Sequence, residues 1–388
     1  MDELLWLLLP IAAASGWAFA KREDTRNNGK SPDLSSDYYK GLNYLLNEQT
    51  DKAIECFVRM LEVDSDTVEI HLAVGNLFRQ RGEVDRAIRI HGNLITRPTL
   101  SKSQRSYALL ELAQDYMRAG LFDRAETLCR ELISLETHTE RALMLLSDIY
   151  QQEKEWEQAI TVTRRLEEKT GKSRKQAIAQ FHCELAEQAR DSKDLAEAQR
   201  RIASALAADP ACVRASMLRG DLACAAGDDS EAIRAFRQVE RQDPAYLPEV
   251  IPELMHCYRQ RGNMDELIDY LQKAYAERGG VTVLLAVTDV IEQQRGKDAA
   301  LSYLKQHLHD NPSLRGAARL MEMEEEDGRD PGVRDILELL KDTVERVLEE
   351  KPVYQCTHCG FAGKAMHWHC PGCKRWGTVK PILGLEGE

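Results

Sequence analysis

Apolar positions recur through most of this chain at the spacing of one helical face, and the pattern is itself copied. The phrases Asp51-Lys52-Ala53-Ile54, Asp85-Arg86-Ala87-Ile88, Asp123-Arg124-Ala125-Glu126, Glu157-Gln158-Ala159-Ile160, Ala196-Glu197-Ala198-Gln199 and Ser230-Glu231-Ala232-Ile233 align on their alanines. Leu267 continues the series, and successive anchors are 34, 38, 34, 39, 34 and 35 residues apart. Apolar spacing of this kind predicts amphipathic helices, and copying at a fixed period predicts stacked helix pairs that each touch only their neighbours.

A second register runs through the same copies. Twelve residues before each anchor stands a small residue, Gly41, Gly75, Ala113, Ser147, Ala186 or Gly220, and three residues further comes a ring in several, Tyr44, Phe78, Tyr116, Tyr150 and Tyr258. Small residues let the two helices of a pair approach closely, and the ring fills the groove beside them. Pro210, Pro244 and Pro312 fall where helices must stop. A helix-turn-helix unit with a 34-residue period is the tetratricopeptide signature. The longer steps place extra residues around Arg97–Ser106 and Lys169–Gln176, and a degenerate eighth copy covers Thr282–Asn311. The expected fold is therefore an all-α tetratricopeptide-repeat superhelical solenoid over residues 36–312, followed by terminal helices over 313–350 that include Val333–Glu350.

Chemistry enters at the far end. Cys356-Thr-His-Cys359 and Cys370-Pro-Gly-Cys373 are two C-x-x-C knuckles separated by ten residues, so four thiolates can converge on one soft cation. Zinc and iron both accept tetrahedral sulfur, so the spacing does not choose between them. The predicted metal ligands are Cys356, Cys359, Cys370 and Cys373 in a module over 353–388, a rubredoxin-like or zinc-ribbon knuckle with little sheet, packed against the last repeats. Gly360 sits where a positive φ turns backbone N–H groups toward sulfur, and Lys374 occupies the matching place in the second knuckle. Trp368 and Trp376 are expected to cover the site and form its core, with His358, His367 and His369 outside the ligand set.

At the other end, Leu4 to Ala20 runs seventeen residues without a charge, about 26 Å as a helix. Residues 1–20 are predicted to be one transmembrane anchor, joined by a linker over 21–35. Lys21, Arg22, Arg26 and Lys30 follow the apolar run and place the bulk of the chain on the cytoplasmic side. Cleavage after Ala18-Phe19-Ala20 is the alternative.

Composition narrows the function. A net charge of −12 with mixed signs argues against a nucleic-acid binder. The basic run Arg164, Arg165, Lys169, Lys172, Arg174 and Lys175 reads as a solvated loop. Cys56, Cys129, Cys183, Cys212, Cys224 and Cys257 have no ligand spacing and read as small core hydrophobes. His182-Cys183-Glu184 point about 100° apart on a helix and cannot act together, and no phosphate loop, nucleophile elbow or dinucleotide turn is present. No catalytic or organic-cofactor residues are assigned, and the chain reads as a non-enzymatic scaffold.

The order of anchor, about eight repeats and terminal knuckles resembles the lipopolysaccharide assembly protein B family of Gram-negative bacteria. The likeness is carried by Leu4-Leu5-Trp6-Leu7-Leu8-Leu9-Pro10, by Gly75-Asn76-Leu77-Phe78-Arg79 with Arg81 to His91, and by Trp368-His369-Cys370-Pro371. The resemblance implies an inner-membrane adaptor facing the cytoplasm. Such an adaptor presents the lipid A biosynthetic deacetylase to a membrane-anchored AAA+ zinc protease and connects synthesis to lipopolysaccharide export proteins. It also implies that the four cysteines hold the metal of a rubredoxin-type module. Two other readings stay open at this stage, a rubredoxin-like electron-transfer protein and a generic protein-binding scaffold or chaperone.

Overall fold

A computed structural model describes residues 34–63, 67–325 and 331–387. The expected anchor at 1–20 lies outside the described residues, and no helix among them is long and apolar enough to cross a membrane. The chain divides after Glu153 into two compact units.

The first unit contains α1 (Leu34–Leu46), α2 (Thr50–Val63), α3 (Val68–Gln80), α4 (Val84–Ile95), α5 (Lys102–Arg118), α6 (Phe122–Ser134) and α7 (Thr139–Gln152). The second begins with α8 (Trp156–Thr170), α9 (Lys175–Asp191), α10 (Leu195–Ala208), α11 (Val213–Ala225) and α12 (Asp229–Gln242). A 3-10 turn over Pro244–Val250 leads into α13 (Ile251–Arg261), α14 (Met264–Arg278), α15 (Val281–Arg295), α16 (Lys297–Asp310), α17 (Leu314–Glu325) and α18 (Pro331–Glu350). Within each unit successive helices pack as antiparallel pairs, giving an all-α tetratricopeptide solenoid. The long steps do not mainly lengthen connections, as the sequence suggested: α5 and α9 have 17 residues each where α3, α7 and α11 have 13, 14 and 13, and the α8–α9 connection is as short as α6–α7.

The small-residue register has a specific cause. A Cβ on Gly41 would stand 2.6 Å from the Phe57 ring, on Gly75 2.3 Å from the His91 ring and on Gly220 2.3 Å from the Phe236 ring. Each ring comes from the second helix of the same pair, sixteen residues on, and occupies the space a side chain would need. Three rings of the other register lie under cations from the first turn of that second helix: Lys52 over Tyr44 at 5.8 Å, Arg86 over Phe78 at 5.4 Å and Arg124 over Tyr116 at 5.6 Å.

A third register accompanies these. Five residues before each anchor the backbone turns left-handed, at Glu48, Gly82, Gly120, Lys154, Lys193, Gly227 and Gly262. The turn that reverses the chain within a pair requires this conformation, which is cheap for glycine and strained for the other residues.

Copies two and three share a buried polar cluster. His91 Nδ1 lies 2.5 Å from Asp115 Oδ2, and Arg79 donates to Asp115 Oδ1 at 2.8 Å and Glu111 Oε2 at 2.6 Å. Both His91 and Asp115 are fully buried.

Candidate metal centre and its seat on the repeats

After α18 the chain forms β1 (Tyr354–Cys356), β2 (Ala362–Gly363) and β3 (Val379–Pro381), an antiparallel sheet in the order β2-β1-β3. Tyr354 pairs with both Gly363 and Pro381, and Cys356 pairs with Val379. The two knuckles hang from this sheet and repeat one another. Gly360 N–H donates to Cys356 O at 3.0 Å, and Lys374 N–H donates to Cys370 O at 2.9 Å. Gly360 has φ +77° and Lys374 φ +56°, so the lysine takes the left-handed place that glycine fills in the first knuckle.

The four predicted ligand atoms converge. The Sγ atoms of Cys356, Cys359, Cys370 and Cys373 all lie within 4.8 Å of one another, with Cys356–Cys373 at 3.8 Å and Cys359–Cys370 at 3.7 Å. The surroundings favour thiolate at the first of them. Burial pushes the Cys356 thiol up. The Thr378 hydroxyl and the N–H groups of Cys359 and His358 outweigh that and hold it at about 5. Gly372 lies against the same sulfurs, where a Cβ would stand 3.3 Å from Cys359 Sγ. Four thiols whose sulfurs converge this closely fit one tetrahedral zinc or iron ion held by Cys356, Cys359, Cys370 and Cys373. The histidines stand apart from this set. His369 Nε2 faces Lys374 O at 2.9 Å, and His367 meets the Phe361 ring edge-on at 6.0 Å.

The two tryptophans correct the sequence reading. The module's own core is Cys356, Cys370 and Val379 with Tyr354, Phe361 and Met366, too small to bury two indoles. Both instead face the repeats. Trp376 stacks on His369 and meets Trp156 and Phe181 edge-on at 6.1 and 5.8 Å, while Gln176 donates to its carbonyl at 3.3 Å. Trp368 stacks on Tyr246 at 5.3 Å, and the Arg214 guanidinium lies 5.9 Å from its ring.

Arg214 is 4% exposed. Burial pulls its pKa down, and Glu184 and Glu187, at 2.8 and 2.9 Å, more than reverse that and keep it a cation. Polar contacts ring the seat: the Tyr246 hydroxyl donates to Val379 O at 2.8 Å, Tyr354 to Glu249 at 3.0 Å and Lys380 to Asp243 at 2.6 Å. The module thus reaches back beyond the last repeats as far as the fourth copy. Its tail also touches α17, where Leu314 N–H donates to Leu385 O.

The other singled-out residues separate as their spacing requires. Cys183 faces Cys212 at 3.8 Å, Glu184 turns to Arg214, and His182 is buried with neither ring nitrogen hydrogen-bonded. Burial, with Arg164 and Arg201 nearby, lowers the His182 pKa to about 4. The basic run is largely exposed at the end of α8 and the loop beyond it, with Lys175 3.5 Å from Asp209.

Comparison with known proteins agrees with both parts of this architecture. Residues 354–381 match the family model described as a rubredoxin metal binding domain, and residues 38–99, 110–173 and 183–246 match that of the tetratricopeptide repeat. The chain is 41% identical over 389 residues to lipopolysaccharide assembly protein B of Escherichia coli strain K12, covering all of both chains. It is 37% identical over 395 residues to the protein of that name from Haemophilus influenzae, again covering all of both. A solved structure of the C-terminal part of a TPR repeat-containing protein from Cytophaga hutchinsonii is 14% identical over 69% of this chain and 98% of that one, with a TM-score of 0.40. With full-length relatives of one kind, a tetratricopeptide array and four converging thiols in a rubredoxin-type module, the chain belongs to the lipopolysaccharide assembly protein B family.

Proposed function

We propose that this chain is a membrane-tethered, non-enzymatic adaptor that regulates lipopolysaccharide biosynthesis from the cytoplasmic face of the bacterial inner membrane. It brings the lipid A biosynthetic deacetylase to a membrane-anchored AAA+ protease and contacts lipopolysaccharide export proteins. The observation that carries the reading is its full-length match to proteins named for lipopolysaccharide assembly. An array of stacked helix pairs suits the role because it offers extended surfaces for other proteins. Confinement by the anchor at residues 1–20 raises the effective concentration of adaptor, substrate and protease.

The metal's contribution when bound is structural, four sulfur bonds that close two knuckles into one unit. The chain's own residues do the rest. Arg214, Tyr246, Trp156 and Phe181 receive the closed module, and Glu184 and Glu187 hold the arginine in place.

The test is affinity capture of the full-length protein from membranes, wild type against Cys356→Ser/Cys359→Ser, with metal content measured on both. The reading expects deacetylase and protease with wild type and their loss with the variant. Absence of both from wild-type captures overturns it.

A further inference from the structure

Two thiols outside the metal centre lie closer together than its Cys356–Cys373 and Cys359–Cys370 pairs. Cys224 Sγ on α11 and Cys257 Sγ on α13 are 2.7 Å apart. The helices belong to neighbouring copies, and the residues stand 33 apart in sequence, close to one repeat. Their separation is inside the van der Waals distance of two unbonded sulfurs and near the disulfide bond length of about 2.05 Å, so the two side chains point at one another. Cys257 is fully buried, whereas Cys224 is partly exposed and gives a small oxidant an entry point. The other facing pair, Cys183 and Cys212, is 3.8 Å apart with both residues sealed.

We propose that Cys224 and Cys257 form a thiol-oxidation site at which a hydroperoxide closes a reversible disulfide between the sixth and seventh copies. The Cys224 sulfur attacks one oxygen of the peroxide, the O–O bond breaks, a sulfenic acid forms and the first water leaves. The Cys257 sulfur then attacks Cys224 sulfur, the S–O bond breaks and the second water carries off the remaining thiol proton. Two thiols lose two electrons in all, and one hydrogen peroxide becomes two waters. An intracellular dithiol reverses the change by exchange, as expected of a disulfide that forms in a reducing compartment. Burial holds both thiols above their ordinary range, which makes the reaction slow and ties it to sustained oxidant.

The location gives the bond a consequence. The 3-10 turn that carries Tyr246 and Glu249 leads directly into α13, and Tyr246 supports Trp368 and Val379 of the metal module. A staple between α11 and α13 therefore fixes two elements of the module's seat, Arg214 on the first and the turn before the second.

The test uses the full-length, zinc-loaded protein treated with hydrogen peroxide, quenched with an alkylating agent, digested without reductant and mapped by mass spectrometry. The expected result is a peptide linked through Cys224 and Cys257, abolished by dithiothreitol, with a thermal midpoint a few degrees higher before reduction. In Cys257→Ala the sulfenic acid has no partner, so Cys224 should take up dimedone, which wild type does not. Circular dichroism confirms that the variant keeps its helices. Linked peptides confined to Cys183–Cys212 or to the four metal ligands overturn the proposal. So does a Cys224 that is recovered fully alkylated under conditions that oxidise the metal ligands.

Discussion

At the scale of single residues, the left-handed turn within each pair sets a stability that can be adjusted. Lys193 adopts φ +65° where Gly82, Gly120, Gly227 and Gly262 serve other copies. A left-handed non-glycine residue costs roughly 1–2 kcal/mol, while glycine adds back about 0.5–1 kcal/mol of unfolded-state entropy. Lys193→Gly should therefore stabilise the protein by up to about 1 kcal/mol, measured as a rise in the urea midpoint with unchanged slope. A fall in the midpoint would show that the lysine side chain contributes more than its backbone costs. His182 makes stability depend on pH. Its folded pKa of about 4 lies below the ordinary 6.5 because burial disfavours the charged ring. The unfolded chain thus binds the extra proton between those values. Its contribution is intact above pH 6.5 and is lost as pH falls toward 4. Thermal midpoints across this window should flatten in His182→Leu relative to wild type, and equal slopes in the two proteins would exclude the ring as the titrating group.

Whole elements show how much of the fold could be read from the string. The helix pairs were legible because one apolar pattern is copied seven times with little change, from Ala53 to Leu267. The knuckles were legible because their ligands are local. The seat of the module was not, because Trp156, Phe181, Arg214 and Tyr246 come from separate copies and no spacing connects them to Trp368 or Trp376. The available signals were a lone arginine between Val213 and Ala215 in an otherwise apolar stretch, and a tryptophan opening α8. The polar cluster joining α3, α4 and α5 has the same character, since Arg79, His91 and Asp115 meet only after two copies have stacked. Asp115→Ala takes the carboxylate from His91 at a buried site and leaves Arg79 with Glu111 as its remaining carboxylate partner, and should cost about 3 kcal/mol. The sixteen-residue register offers a rescue, because Phe57 and Phe236 occupy the place of His91 over their own glycines. Adding His91→Phe to Asp115→Ala keeps the ring over Gly75 and removes an unpaired nitrogen, so part of the loss should return. Strict additivity of the two substitutions in urea unfolding would refute the coupling.

For the molecule as a whole, the metal decides whether the chain's end is part of the array. The module's own apolar core is a few residues around Cys356, Cys370 and Val379, far too little to offset the entropy of ordering it. The four sulfurs supply that ordering only when they bind an ion. The helices need no such help, because each pair is buried by its neighbours. Chelating the metal should therefore unfold residues 353–388 while leaving far-UV ellipticity nearly unchanged. Trp376 and Trp368 leave Phe181 and Tyr246, and Trp156 and Arg214 become open to water. Tryptophan emission should shift to longer wavelength, and limited proteolysis should remove the tail first. Arg214→Ala separates the seat from the ion. It should keep the metal bound yet speed cleavage of the tail, because Trp368 loses the cation beside its ring and Glu184 and Glu187 lose their partner. A metal-free protein that retained both its emission and a protease-resistant tail would mean that the stacked rings alone hold the module, and that the four thiols are not what closes it.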